Sequence, residues 1–162
     1  MEKTTDINVK VQEGDFDVAR LQSSLLAGLS EEGAVATFTG YVRCANEERQ
    51  VYTLELEHYP GMTESSIRHI IQQATARWPV LAASVVHRVG KLASGEQIVW
   101  VGVAAVYREA AFSACEFIMD FLKTRAPFWK KERGPEGEHW VSARQHDNSR
   151  AARWERPRWP IA

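Results

Sequence analysis

Residues 117–132 read FIMDFLKTRAPFWKKE. Phe117, Ile118, Phe121 and Leu122 fall at the i, i+1, i+4, i+5 spacing of one buried helix face. Pro127 stops that helix, because a proline disfavours helical geometry at the residue before it, here Ala126. Lys123 and Arg125 then occupy the last turn, where cations complement the negative end of the helix dipole for about 0.3–1 kcal/mol. Past the break, Phe128–Arg133 and Glu138–Ala143 read as a hairpin around a GPEG turn. Helix end, turn and second segment can thus bring Lys123 and Lys130 together beside aromatic walls, a setting that suits an anion. Dipole compensation alone would also account for the charges.

Working outward, Ile7–Val11 alternates apolar and polar residues as a short strand does. Asp15 or Asp17 can cap a helix through about Leu29, with Val18, Leu21, Leu25 and Leu26 inward. Gly33 releases the chain into AVATFTGYVR, rich in β-branched and aromatic residues. Cys44–Gln50 is polar and is expected to be a mobile loop. VYTLELEHY sets Leu54 and Leu56 against Glu55 and Glu57, a strand with one wet face. PGM makes a turn, Thr63 caps a second helix ending near Trp78, and Pro79 stops it. Ala83–Val89 and Gln97–Val106 are strands joined by a polar turn with Ser94 and Gly95, and Glu109–Arg125 is the third helix. Helices and strands alternate irregularly and several strand neighbours are hairpins. An α+β fold, a two-layer α/β sandwich, is favoured over a doubly wound parallel sheet. Residues 1–144 are expected to form a single domain. Residues 145–162 mix charge, Trp and Pro without a period and read as a tail, flexible or ordered by a partner.

Bulk properties narrow the function. At 162 residues with 44% apolar and 25% charged content, the chain matches an ordinary soluble globule. A net charge of −1 argues against general nucleic-acid binding, which needs a basic excess. No apolar run is long enough to span a bilayer, and the first residues lack the apolar core of a secretory signal. Cys44 and Cys115 stand far apart, without CxxC or Cys/His spacing, so no metal site or disulfide framework is indicated. A cytoplasmic setting is expected, with Cys115 in the core and Cys44 at the surface.

Candidate chemistry gathers at element ends. Arg43 ends the GYVR strand at the mouth of a loop, and Arg108 follows AAVY at the start of the third helix, where free N–H groups attract anions. Each arginine alone could be a solvated surface charge; with two lysines around Pro127 they form a more specific constellation. His58 and His87 lie in strands with no second ligand at a metal spacing, so structural roles are expected. Glu55 and Glu57 share a face that is usually solvated. The chain contains no GxGxxG, P-loop or GxSxG.

AVATFTGYVR, LELEHYPGMTE, HRVGKLASGE, VWVGVAAVYREAAF and FIMDFLKTRAPFWKKE, in this order and spacing, closely resemble the large, catalytic subunit of molybdopterin synthase. The match covers roughly residues 33–144, and EHYPGM and LKTRAPFWK are its specific parts. The resemblance implies an α+β, hammerhead-like sandwich and a central homodimer inside a heterotetramer. A small ubiquitin-like subunit would dock at each end and insert a C-terminal Gly-Gly thiocarboxylate. Its sulfur would pass to cyclic pyranopterin monophosphate to build the molybdopterin dithiolene, so the chain would be a sulfurtransferase of molybdenum cofactor biosynthesis. No cofactor, metal, nucleic acid or membrane is implied. Lys123 matches the family's essential lysine and Lys130 its second active-site lysine. Substrate binding is implied for Tyr41, Val42, Arg43, Tyr107, Arg108, Lys131, Glu132 and Arg144, the last across the dimer. Two positions depart from the family pattern: Tyr41 stands where a lysine is common and Tyr107 where a histidine is common. An extended Gly-Gly tail is expected to lie along the backbone of Phe128 to Lys131. The competing reading is a non-catalytic module that binds an anion or an acidic peptide tail.

Overall fold

A computed structural model describes residues 4–46, 49–142 and 145–155. Two four-stranded sheets organise the chain. The first contains β1 (Asp6–Gln12), β2 (Ala34–Tyr41), β6 (Val80–Arg88) and β8 (Gln97–Ala105), in the order β1-β6-β8-β2. Only β1–β6 is parallel within it. The second contains β5 (Thr53–His58), β7 (Gly90–Ala93), β9 (Phe128–Gly134) and β10 (Gly137–Val141), in the antiparallel order β10-β9-β5-β7. A hairpin of β3 (Ala45–Asn46) and β4 (Arg49–Gln50) stands where the polar composition of residues 44–50 predicts a loop.

Helices cover both faces of the first sheet. α1 (Val18–Leu26) is capped by Asp17, whose carboxylate accepts from the Arg20 N–H, and packs Leu25 and Phe16 on Trp100, Ala82 and Val86. α2 (Met62–Arg77) and α3 (Arg108–Leu122) pack on the other face, with Ile67, Ile71, Phe117 and Ile118 against Val85, Val101 and Val103. β6 and β8 are apolar almost throughout because both their faces are covered. The architecture is the α+β class expected.

Three details differ from the sequence reading. Gly61, at φ +84°, is the N-cap of α2, and the Glu64 side chain accepts from its N–H. Thr63 is instead fully buried: its hydroxyl accepts from the Tyr59 N–H and donates to the Pro127 carbonyl, tying the start of α2 to the break after α3. Between β6 and β8 the chain leaves the first sheet to form β7, which pairs with β5 of the second. Finally, residues 145–155, aperiodic in sequence, form α4 (Gln145–Ala152) and a 3-10 turn (Arg153–Glu155) docked on α3. The remainder of the predicted tail, 156–162, lies outside the described residues, as does Arg144.

Candidate functional site

The two sheets and the end of α3 enclose two adjoining cavities. The first, about 300 Å³, is lined by Tyr41, Val42, Arg43, Asn46, Lys123, Lys130, Glu132 and Asp147, among others. The second, about 390 Å³, shares Tyr41, Arg43, Lys123 and Lys130 but is walled mainly by Phe38, Ile98, Met119, Leu122, Phe128 and His87. Three cations from three elements therefore meet: Arg43 after β2, Lys123 at the C-cap of α3, and Lys130 in β9. Among the described residues, no carboxylate lines the second cavity.

Local structure explains each placement. The last turn of α3 winds until Arg125, whose N–H bonds the Phe121 carbonyl at 2.8 Å, and Pro127 then turns the chain into β9. Strand periodicity does the rest. In β9 the register pairs Leu56 with Lys130 and Leu54 with Glu132, so these side chains share the inner face with Phe128. Lys131 points the other way, where its ammonium lies 4.7 Å from the Trp140 ring centre and 3.6 Å from Glu138. Val42 is buried and locked to the β7–β8 turn by paired backbone bonds with Glu96 and Gly95. That anchor holds its neighbours Tyr41 and Arg43 at the cavity mouth.

Asn46 was not singled out by sequence reasoning. It is buried; its amide donates to Glu132 at 2.7 Å, and its carbonyl oxygen accepts from Arg43 at 3.4 Å. Arg43 is thereby aimed by a neutral side chain, with the Glu132 charge one residue removed. An asparagine in a polar stretch carries no sequence signal for this; only its burial reveals it.

Of the ten residues expected at the site, Lys123, Lys130, Tyr41, Val42, Arg43 and Glu132 line these cavities. Lys131 does not. Tyr107 and Arg108 are exposed at the start of α3, whose 15 residues put about 22 Å between them and Lys123 at its other end. The backbone of Lys130 and Lys131 is also unavailable to an added peptide strand, since β9 is an interior strand paired with both β5 and β10. The expected docking of an extended tail along Phe128 to Lys131 is closed at Lys130 and Lys131, whereas Phe128 and Trp129 pair only with β5 among the described residues. His87 is buried, lines the second cavity and stacks on Phe128 at 3.9 Å, while His58 is half-buried. Among the described residues no helix is long and apolar enough to cross a membrane, and no group of three or more His, Cys, Asp or Glu side chains could hold a metal ion.

The family model "MoaE protein" matches residues 11–125. A curated relative, the molybdopterin synthase catalytic subunit of Vibrio cholerae, is 53% identical over 150 residues, covering 93% of this chain and 99% of its own. Among solved structures, a molybdopterin biosynthesis MoaE protein from Burkholderia ambifaria superposes with a TM-score of 0.80 at 46% identity, covering 93% of this chain and 99% of that one. A molybdopterin synthase structure from Staphylococcus aureus gives 0.76 at 28% identity, covering 82% and 96%.

Proposed function

The chain belongs to the MoaE protein family of molybdopterin synthase catalytic subunits, and we propose that its paired cavities are where sulfur passes from a partner's thiocarboxylate to a pterin. The partner is a small ubiquitin-like subunit whose C-terminal Gly-Gly thiocarboxylate enters the cavity. The acceptor is cyclic pyranopterin monophosphate. Two successive transfers open its cyclic phosphate and leave a dithiolene.

One observation carries this reading: Arg43, Lys123 and Lys130 line the same cavity. Donor and acceptor are both anionic, so bringing them together needs concentrated positive charge at one place. Arg43 suits the phosphate, because a guanidinium offers two parallel donors. Lys123 neutralises the thiocarboxylate and the charge that develops as sulfur attacks. Lys130, half-buried on the rigid inner face of β9, positions the same groups. The apolar walls Phe38, Ile98 and Phe128 suit a flat heteroaromatic ring. Tyr41 donates a hydrogen bond or stacks where the family commonly has lysine. Tyr107, Arg108 and Arg144 serve such a cavity from the second copy of a homodimer. The carrier's tail reaches the lysines through the cavity, and its glycines are needed because a side chain would clash in a narrow channel.

The test is sulfur transfer from a thiocarboxylated small subunit to cyclic pyranopterin monophosphate by wild type and Lys123→Ala. Product from wild type, with most turnover lost and carrier binding kept in the variant, is expected. Near-normal turnover by the variant would remove Lys123 from the chemistry. Carrier binding with no product from wild type would favour a non-catalytic binding module. A bulky residue in place of the carrier's last glycine should block transfer.

A further inference from the structure

Arg88 ends β6 and lines neither cavity, yet its side chain is only 8% exposed. Strand alternation puts it with Ala82 and Val86 on the α1 side of the sheet, while its neighbour His87 lines the second cavity. A guanidinium withdrawn from water is costly unless its donors are met. Here backbone carbonyls meet them: Nε donates to the Glu13 carbonyl at 3.0 Å and Nη1 to the Gln97 carbonyl at 3.1 Å. The carboxylates of Glu96 and Asp15 stand at 3.6 and 3.9 Å, outside hydrogen-bond reach, and both side chains meet solvent. Arg88 therefore ties the chain just past β1 to the start of β8 and does not serve to neutralise a buried acid. The Gln97 side chain reinforces the tie, donating to the Asp15 carboxylate at 2.9 Å and the Phe16 carbonyl at 2.8 Å.

The start of β8 also carries the segment that reaches the cavity mouth. The β2–β8 register shifts between Gly40 and Tyr41, with Tyr41 opposite Gln97. One residue on, the Val42 N–H donates to the Glu96 carbonyl and the Val42 carbonyl accepts from the Gly95 N–H, both at 2.8 Å. Glu96 closes this turn on itself: its N–H donates to the Ala93 carbonyl at 3.1 Å, and its carboxylate accepts from the Ala93 N–H. A continuous path thus runs from Glu13 through Arg88, Gln97, Glu96 and Val42 to the residue beside Arg43. Arg88 supplies the one side chain in that path; every other link is backbone.

We propose that Arg88 is a positioning residue for the substrate: it clamps the β7–β8 turn to the end of β1 and so, through Val42, fixes the backbone from which Arg43 meets the substrate's phosphate. A guanidinium recognises phosphate through two parallel bonds, which tolerate little displacement of its base. Asn46 aims the tip of Arg43 from inside the cavity, and Arg88 holds its root from behind the sheet. An arginine suits the task because its rigid fork reaches two carbonyls of different segments at once, which a lysine ammonium on a flexible stem does not hold in register.

This inference rests on the sulfur-transfer reading, and the experiment separates the two. Sulfur transfer is measured at saturating thiocarboxylated carrier and varied cyclic pyranopterin monophosphate for wild type, Arg88→Met, Arg43→Ala and the double variant. Arg88→Met should raise the substrate KM about tenfold with kcat changed by less than about twofold. In the Arg43→Ala background the same substitution should leave KM almost unmoved, because the group it positions is gone. An unchanged KM in Arg88→Met, or an equal rise in both backgrounds, overturns the proposal; a general loss of structure would act in both. Arg88→Lys keeps the buried charge and decides the matter even if Arg88→Met does not fold. Its KM should rise and the Val42 and Gly95 amides should exchange faster than in wild type, whereas wild-type KM and protection overturn the proposal. Absence of product from wild type would overturn the sulfur-transfer reading, while amide exchange in Arg88→Lys would still decide whether Arg88 clamps the turn.

Discussion

Asp120 makes a quantitative prediction about how the active helix end is held. The side chain is 8% exposed and sits three residues before Lys123 on α3. It accepts from Arg150 Nε at 3.1 Å, Arg153 at 3.0 Å and Trp154 Nε1 at 2.8 Å, all from the C-terminal segment. Asp120→Ala removes the acceptor of all three bonds at once. Hydrogen bonds to a charged group contribute about 1.5–3 kcal/mol each when buried. Both arginines are about two-fifths exposed and keep Glu116 at 2.6 and 2.5 Å, so their share must be discounted heavily for solvent. The Trp154 indole loses its partner inside the Trp78–Phe117–Trp154 cluster and is not compensated. A net loss of about 2–4 kcal/mol follows, which for a chain of this size lowers the melting temperature by about 5–12 °C. Hydrogen exchange should show α4 losing protection before the sheets do. Because Asp147 of α4 lines the first cavity, the substrate KM should rise as well. A variant that melts with wild type and keeps α4 protection would refute the claim that Asp120 is the latch.

Four further outcomes are expected. Lys130→Ala should lose most turnover, whereas Lys131→Ala should keep it, because strand alternation turns Lys131 to the outer face; steady-state kinetics of the pair checks this. Asn46→Ala frees Arg43 and leaves Glu132 without its amide donor, so the substrate KM should rise about tenfold or more, given about 1.5–3 kcal/mol for a hydrogen bond to a charged group. Burial pushes the Cys115 thiol up to about 12, so it stays protonated at pH 8 and a thiol reagent should label only exposed Cys44 until the protein is unfolded, which mass spectrometry resolves. Folded His87 stays neutral down to about pH 3 while the unfolded residue protonates near 6.5, so its contribution is full above pH 6.5 and is lost progressively on acidification to about 3. Denaturation midpoints across that window should fall more steeply in wild type than in His87→Gln.

Most of the elements were legible because their signals are local. The spacing of Phe117, Ile118, Phe121 and Leu122, the alternation of Leu54 and Leu56, and the stop at Pro127 each follow from one backbone period or one forbidden conformation. The site was half legible: Arg43, Lys123 and Lys130 are marked by position at element ends and by family resemblance. Lys131 could have been separated from Lys130 by the strand period alone, once β9 was read as a strand.

What the sequence determined by itself, then, is the class of fold, the register of each buried face and the identity of the cations. Those depend on interactions between residues a few positions apart. Tertiary structure alone decided which cations meet, that Asn46 aims Arg43, that Thr63 pins the Pro127 turn, and that residues 145–155 become a helix latched on Asp120. Asn46 stands three residues from Arg43 but is held by Glu132, 86 residues on; the other contacts likewise span tens of residues, and their stability comes from the burial of a polar group with its partner. Neither partner carries that information until the fold removes water from both.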